Sequence, residues 1–405
     1  MRILVLNDDL TGSPANCAQM LNCGFERMGH EVTMLTSHRR EKSPEILRKK
    51  GLVSLPISYR ESLRHYHCLF SPSVSSMIKK EMERIKPNIV HAHNLHRYLT
   101  YDALRVACEY TPNVFITLHD VFSFAFHRLN TRKYLDSNGK DVSLRFTDHW
   151  KMTGLTFNPL RNLLIRSALR KNVRGIVAVS HALKRALDAH NIQGIRVIHN
   201  GIDVQDRHCD ERLVDDFKNR FDLHRRKIIL FGGRISPDKG TGPLLDVLTK
   251  IRHNIPDVLL LVTGDEKRWQ ECVKRAGYKE DFSDIVRCTG WLNQDQMKYA
   301  YVAADIVTVP SLCLDCFPQT NLEAMAARKP VIGTIFGGTP ESVLDQVTGF
   351  VLDPRDTDLF AQKLSLLLHD ETLAKKMGEA GRRRVEEEFS LSKQVDTYLE
   401  LFEKS

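Results

Sequence analysis

Along the whole 405-residue chain, short apolar runs alternate with longer stretches in which apolar positions recur every three or four residues. The runs are strand-length and lie between turn residues, so the pattern predicts parallel strands joined by helices, the βαβα order of an α/β fold. In the first half, strands are predicted over Ile3–Leu6, Val32–Thr36, Ile89–His93, Val114–Leu118, Gly175–Ser180 and Val197–His199. Ser13-Pro14 reads as a helix N-cap followed by proline at the first helical position, and that helix should run to about Met28 and stop at Gly29. The loop Asp8–Ser13 then falls at the carboxyl end of the first strand, where open α/β sheets place their ligands.

A second series begins near Lys227, with strands predicted over Ile228–Phe231, Val258–Thr263, Val286–Thr289, Ile306–Val309 and Pro330–Thr334. Helices fit Gly242–His253, Asp295–Ala304 and Thr320–Ala327. Two successive series predict two doubly wound domains, residues 1–203 and 204–388, with the turn signal Asn200-Gly201-Ile202-Asp203 at the seam. The remaining segment, 389–405, is amphipathic and is expected to cross back onto the first domain.

Composition adds constraints. The opening MRILVLNDDL is too short in its apolar part and too acidic for a signal peptide, and no run of about 18 apolar residues occurs. Nine cysteines without framework spacing suit reduced thiols and a cytoplasmic setting. Cys313-x-x-Cys316 has no second pair at zinc-ligand spacing and reads as two small residues in a packed loop. The net charge of +9 is uneven: residues 1–203 hold 30 lysines and arginines against 17 acidic residues, or +13, and the remainder 29 against 33, or −4. A basic first half suits an anionic partner, whether an acidic acceptor, a membrane surface or nucleic acid. Basic motifs interleaved with aromatics are missing, so nucleic acid is not expected.

Three strings carry candidate chemistry. Phe231-Gly232-Gly233-Arg234-Ile235-Ser236-Pro237-Asp238-Lys239-Gly240 follows a strand and opens a helix. Glycines let backbone approach phosphates, and two cations five residues apart can grip two phosphoryl groups, although a surface turn with two solvated cations would read the same way. The run from Pro310 to Ala326 places Asp315 in a loop and Glu323 about one turn into a helix, with the amides of Phe317 and Gln319 to Asn321 at the helix tip. Acidic residues favour helix starts in any case. The third string, Val331 to Glu341, is a strand ending in the glycine turn Gly337-Gly338.

Together with "HEVTMLT", "IVHAHN", "ITLHD", "VAVSHALK", "VIHNGID" and "LVTGD", these strings occur in the order found in the retaining glycosyltransferases of the GT-B fold, the large family of bacterial polysaccharide and glycolipid glycosyltransferases. The chain resembles that family over nearly its whole length. The resemblance implies an α/β fold of two Rossmann-like domains facing an interdomain cleft, the first on the acceptor side and the second binding a nucleotide-diphosphate sugar. No cofactor or metal is implied; the donor is itself the nucleotide. Arg234 and Lys239 match the pair that grips the diphosphate, and His119 matches a histidine facing the donor sugar. Glu323 matches the second glutamate of the Glu-x7-Glu motif, which holds the ribose, and Asp315 stands in the position of the first, one methylene shorter. Phe317, Pro318, Gln319, Thr320 and Asn321 match the sugar and phosphate cradle. Gly264 belongs with the donor side through "LVTGD", Trp291 falls where the base is held, and Gly12 and Ser13 fall where a glycine-rich loop approaches the diphosphate. His93, Asn94 and His96 are expected on the acceptor side, the acceptor being a saccharide or a lipid-linked saccharide.

His91-x-His93 could offer two metal ligands from one face of a strand, but no Asp-x-Asp motif accompanies it. Arg161, Arg166, Arg170, Lys171 and Arg174 share a predicted helix with Leu163, Leu164, Ile165 and Leu169, which could rest on the anionic inner face of a membrane or be half-buried in the ordinary way. A nucleotide-sugar 2-epimerase and a catalytically degenerate scaffold of the same fold are the alternative functions. An epimerase would convert donor without acceptor, and a scaffold would bind nucleotide without turnover.

Overall fold

The leucine, isoleucine and valine runs form two separate parallel sheets, each with buried central strands. The computed structural model describes residues 1–204, 210–278 and 281–404. The first sheet contains β1 (Arg2–Leu6), β2 (Glu31–Arg39), β3 (Leu47–Lys49), β4 (Leu52–Ile57), β5 (Ile89–Ala92), β6 (Val114–Leu118), β7 (Gly175–Ala178) and β8 (Ile195–Val197). Its order is β3-β4-β2-β1-β5-β6-β7-β8, and every neighbouring pair is parallel except β3 with β4. The second contains β9 (Lys227–Phe231), β10 (Val258–Val262), β11 (Val286–Cys288), β12 (Ile306–Val309), β13 (Val331–Thr334) and β14 (Gly349–Leu352), in the order β11-β10-β9-β12-β13-β14, all parallel.

Both orders reverse direction beside the first strand of their series, between β1 and β5 and between β9 and β12. At such a switch point the loops leaving the carboxyl ends of the two strands diverge and open a crevice, the usual ligand position of doubly wound sheets. The four loops concerned are those that carry Gly12, His93, Arg234 and Asp315.

The chain divides into two units. The first comprises Met1–Leu129, Val142–Gly201 and Leu391–Ser405, and the second Asn130–Asp141 and Ile202–Ser390. Residues 130–141, assigned to the first domain by chain order, therefore belong with the second. There Tyr134 is buried against Phe336 at 5.6 Å between rings and its hydroxyl accepts the Gly337 N–H at 3.0 Å. The helix Leu391–Lys404 adds Leu391, Val395, Tyr398, Leu401 and Phe402 to the core of the first unit, with Phe402 4.9 Å from Phe115. Burying side chains of this kind contributes roughly 1.5–3 kcal/mol each, so this helix is part of the fold of that unit.

Strands β3, β4 and β14 lie outside the predicted set, and β8 starts and ends two residues before its predicted span. Gly12, with φ +84°, is the N-cap of the first helix, and Ser13 and Pro14 begin the helix itself, so Ser13 does not cap it.

Candidate active site

In the second unit, β9 delivers the chain into the turn Gly232-Gly233 and a short 3₁₀ turn over Pro237–Lys239 before the helix Thr241–Ile251. Gly240 holds φ +81°, and a Cβ there would strike the Pro310 carbonyl oxygen, so only glycine lets this turn lie against the loop leaving β12. The Leu312 N–H donates to the Asp238 carbonyl at 2.8 Å and joins the same two loops. The Lys239 ammonium pairs with the Asp315 carboxylate, which also accepts the Ser311 hydroxyl at 2.9 Å. From behind, the Gly338 N–H donates to the Asp315 carbonyl at 2.8 Å. Arg234 is exposed in the adjacent turn. The structure thus joins Lys239 to Asp315 directly, an ion pair that the spacing of the sequence does not reveal.

The helix Gln319–Ala326 follows, with Pro318 at its N-cap. The Asn321 N–H is taken by the Pro318 carbonyl at 3.2 Å, so of the expected helix-tip donors Asn321 is already occupied. Its side-chain amide is also used, donating to Thr339 and Ser342 at 3.3 and 3.0 Å. Gln319 is buried and neither its Nε2 nor its Oε1 has a partner among the described residues. A buried amide in this state usually marks a place for water or a ligand group. Phe317 is buried with its ring 5.6 Å from Phe389, and Thr320 packs where a Cβ on Gly232 would fall. One oxygen of Glu323 accepts the buried Tyr301 hydroxyl at 2.6 Å, which fixes the carboxylate's orientation. Gly264 packs closely against Ile235, its backbone oxygen accepting from Gly290 at 3.0 Å, and Trp291 stands 90% exposed just beyond.

In the first unit, the loops after β1 and β5 are bonded to each other. His93 N–H donates to Leu6 at 2.8 Å and Asp8 N–H to Asn94 at 2.9 Å. The buried Asp8 carboxylate accepts three backbone N–H groups, from Arg97, Tyr98 and Leu99, at 2.8 to 2.9 Å, and so shapes the loop that carries Asn94 and His96. Burial nevertheless raises its pKa, outweighing the lowering by His96 and by those three bonds. His119, just past β6, lies with Nε2 2.8 Å from His93 Nδ1, and His96 Nε2 is 3.6 Å from Asp120. Burial pushes the pKa of His91 down to about 3 and of His119 to about 4, and holds His93 well below the ordinary value. His91 Nε2 meets Thr117 Oγ1 at 2.8 Å, so each histidine of the His91-x-His93 pair already commits one ring nitrogen to a side chain. Gly12 and Ser13 are exposed at the start of the first helix. Asp8, Tyr301, Thr117 and Tyr398 are the residues that sequence reading missed. Each acts through a partner far away in the chain, and spacing carries no signal of such a contact.

The basic helix Arg161–Asn172 is half-buried, with Leu163, Leu164, Arg170 and Lys171 on its exposed side. Arg161 is buried, donates to the carbonyls of Phe122 and Ala125, and lies 4.8 Å from the Phe126 ring centroid. Ile165 and Leu169 are buried as well. Exposed apolar side chains precede it and continue into its first turn: Phe146, Trp150, Leu155, Leu160 and Leu163 are each at least 50% exposed, and Leu164 is exposed beside them. No helix among the described residues is long and apolar enough to cross a membrane.

Two families account for almost all of the chain. The one described as Glycosyltransferase Family 4 matches residues 15–206, and Glycosyl transferases group 1 matches residues 214–384. With the two Rossmann-like units, this makes the chain a member of the GT-B glycosyltransferases. It is 27% identical to the putative glycosyltransferase YtcC of Bacillus subtilis over 347 residues, 82% of this chain and 81% of that protein. It is 36% identical to the lipopolysaccharide 1,2-N-acetylglucosaminetransferase of Salmonella typhimurium over 152 residues, 35% of this chain and 39% of that one. Among solved structures, Anabaena HepE in complex with UDP superposes with a TM-score of 0.72 at 17% identity, covering 100% of both chains. That likeness bears on the fold.

Proposed function

We propose that this glycosyltransferase moves a hexose from a nucleotide-diphosphate sugar to a saccharide or lipid-linked saccharide, with retention at the anomeric carbon and without a metal. The observation that carries the reading is the Lys239–Asp315–Ser311 cluster at the sheet's switch point, with Arg234 exposed beside it. A diphosphate placed there meets an ammonium already held in position and a guanidinium that can fork two oxygens. As the bond from the anomeric carbon to the phosphate oxygen breaks, the electron pair stays on the diphosphate and these cations stabilise it. The acceptor hydroxyl attacks from the same face and its proton passes to the departing phosphate oxygen, so no nucleophilic carboxylate is required. Glu323, oriented by Tyr301, takes the ribose hydroxyls, the unpartnered Gln319 amide reads a polar group of the donor, and His119 orients the transferred sugar. Trp291 and Gly264 belong to the base end of the donor site.

Peripheral contact with an anionic membrane fits the exposed apolar side chains from Phe146 to Leu163. Between Ser143 and Arg174 there are seven lysines and arginines and one acidic residue. Apolar insertion and charge attraction would then act on one surface.

The test is a thermal-shift screen against UDP, GDP, ADP and dTDP, followed by turnover of the sugar nucleotide of the stabilising base, with and without a saccharide acceptor. Acceptor-dependent release of the nucleoside diphosphate and a product with the donor's anomeric configuration are expected. Conversion of the donor at C2 without acceptor would make the protein an epimerase, and an inverted product would overturn the retaining mechanism.

A further inference from the structure

Three imidazoles stand in contact behind the carboxyl ends of β5 and β6. The ring centroids of His91 and His93 are 4.3 Å apart, and those of His93 and His119 are 5.1 Å apart, the two rings meeting edge to edge with 20° between their planes. The Nδ1 of His93 and the Nε2 of His119 share one hydrogen bond at 2.8 Å. Burial keeps all three rings neutral at physiological pH, so each carries a single proton. A hydrogen bond between two neutral imidazoles then has one donor and one acceptor, and the donor is decided by where each proton cannot sit.

The other nitrogen of His93, Nε2, is buried with no partner among the described residues. A buried N–H without an acceptor is rarer and costlier than a bare lone pair. The His93 proton therefore belongs on Nδ1, which donates to His119 Nε2. With that nitrogen acting as acceptor, the His119 proton must lie on Nδ1. This nitrogen has no hydrogen-bond partner among the described residues, and the ring is partly exposed. The same reasoning orders His91: its Nδ1 is buried without a partner among the described residues, so its Nε2–H donates to Thr117 Oγ1, which also meets the Tyr398 hydroxyl at 2.8 Å. His96 and Asp120 are the charged or titratable neighbours of His119 outside the array, and they lie 3.6 Å from each other.

We infer that His93 is a positioning residue that fixes His119 as its Nδ1–H tautomer, so that His119 offers a ligand a hydrogen-bond donor and neither a base nor a cation. The ligand atom it fits is an acceptor oxygen, such as a sugar hydroxyl or ring oxygen. Only the identification of that ligand as the transferred sugar rests on the proposed function. The inference makes His119 a reader of oxygen lone pairs, and it leaves the acceptor's proton to the departing phosphate.

Long-range proton–nitrogen NMR on the full-length protein labelled with ¹⁵N-histidine decides it, with His93 and His119 assigned from single variants. The expected result is a protonated-type nitrogen at Nδ1 and an unprotonated type at Nε2 for both residues. A proton on Nε2 of either His93 or His119 would overturn the inference. In His93→Phe, which lacks the donor, the His119 proton should move to Nε2, while His93→Asn, whose amide can replace the lost N–H, should restore Nδ1–H. A His119 tautomer unchanged by His93→Phe would also overturn it. In the transferase assay, His93→Phe should lower kcat about tenfold, the scale of loss seen when a group that orients a working side chain is removed, with the nucleotide-induced Tm shift unchanged. If the NMR result holds while both His93→Phe and His119→Ala keep full turnover, the tautomer stands and the role of His119 in transfer falls.

Discussion

Replacing Lys239 with alanine separates two consequences of one side chain. The partners of the Lys239–Asp315 pair are mostly buried, at 17% and 16% side-chain exposure, so truncation leaves a carboxylate at that depth without its ammonium. An exposed pair contributes about 0.2–1 kcal/mol, and removing one partner of a fully buried pair costs about 3–5 kcal/mol. A pair of intermediate depth belongs between, at about 2 kcal/mol, which for a domain of this size lowers Tm by about 4–8 °C. The second consequence is kinetic. Loss of one electrostatic stabiliser of a leaving group lowers kcat about 100-fold, or about 2.7 kcal/mol. Adding Asp315→Asn to the Lys239→Ala protein should recover most of the Tm, because the uncompensated charge is gone, and should recover none of the rate. Scanning fluorimetry and steady-state release of nucleoside diphosphate on the four proteins of this cycle measure both quantities. A Tm loss with full kcat in Lys239→Ala would reduce the lysine to a structural role and refute the assignment.

Other outcomes follow from the same geometry. His91, His93 and His119 bind a proton less readily folded than unfolded, so the stability they contribute is fully present above pH 6.5. It is lost as pH falls toward about 4 and 3, by up to about 1.4 kcal/mol per pH unit for each. Denaturant melts between pH 7 and 5 should show that slope, reduced by about one proton in His91→Gln, and an equal slope in both proteins would contradict the neutral buried state. Tyr301→Phe removes the hydroxyl that orients Glu323 and should weaken nucleoside diphosphate binding about fivefold by calorimetry, the worth of roughly one hydrogen bond; unchanged affinity would detach Glu323 from nucleotide binding. Trp150→Ala with Leu155→Ala should reduce co-sedimentation with vesicles containing phosphatidylglycerol several-fold, and salt should weaken what remains. Equal sedimentation of both proteins would exclude that surface.

What could be read in the sequence is what local pattern encodes. Strands β9, β10 and β12 are continuous buried runs such as VLLLV, and their predicted limits agree with the observed ones to within a residue. Strand β4 was lost because Pro56 interrupts LVSLPI in the way an edge or loop segment would, and β3 because LRK has one apolar residue and no buried face. β14 is four residues long and opens on Gly349, so its run GFVL looks like a loop with hydrophobics. In the candidate site, the cations and carboxylates of the second unit lie within one glycine-rich string and one helix start. Their partners do not: Tyr301 lies 22 residues from Glu323, and Tyr398 lies 281 residues from Thr117. Contacts of that kind are products of the tertiary fold, and a single sequence has no periodicity that reports them.

The division of the chain bears on how it is made. The first unit needs β1, formed from the second residue onward, and also the helix Leu391–Lys404, whose Leu391, Val395, Tyr398, Leu401 and Phe402 fill its interior. The last piece of the first unit therefore leaves the ribosome only after the run Ile202–Ser390 of the second unit has been made. The usual order, in which the amino-terminal domain folds first during translation, cannot run to completion here. The early-made sheet has to wait, partly uncovered, for this helix, and deleting Leu391–Lys404 would damage the unit whose sheet is made first, while leaving intact the unit that lies next to the helix in the chain.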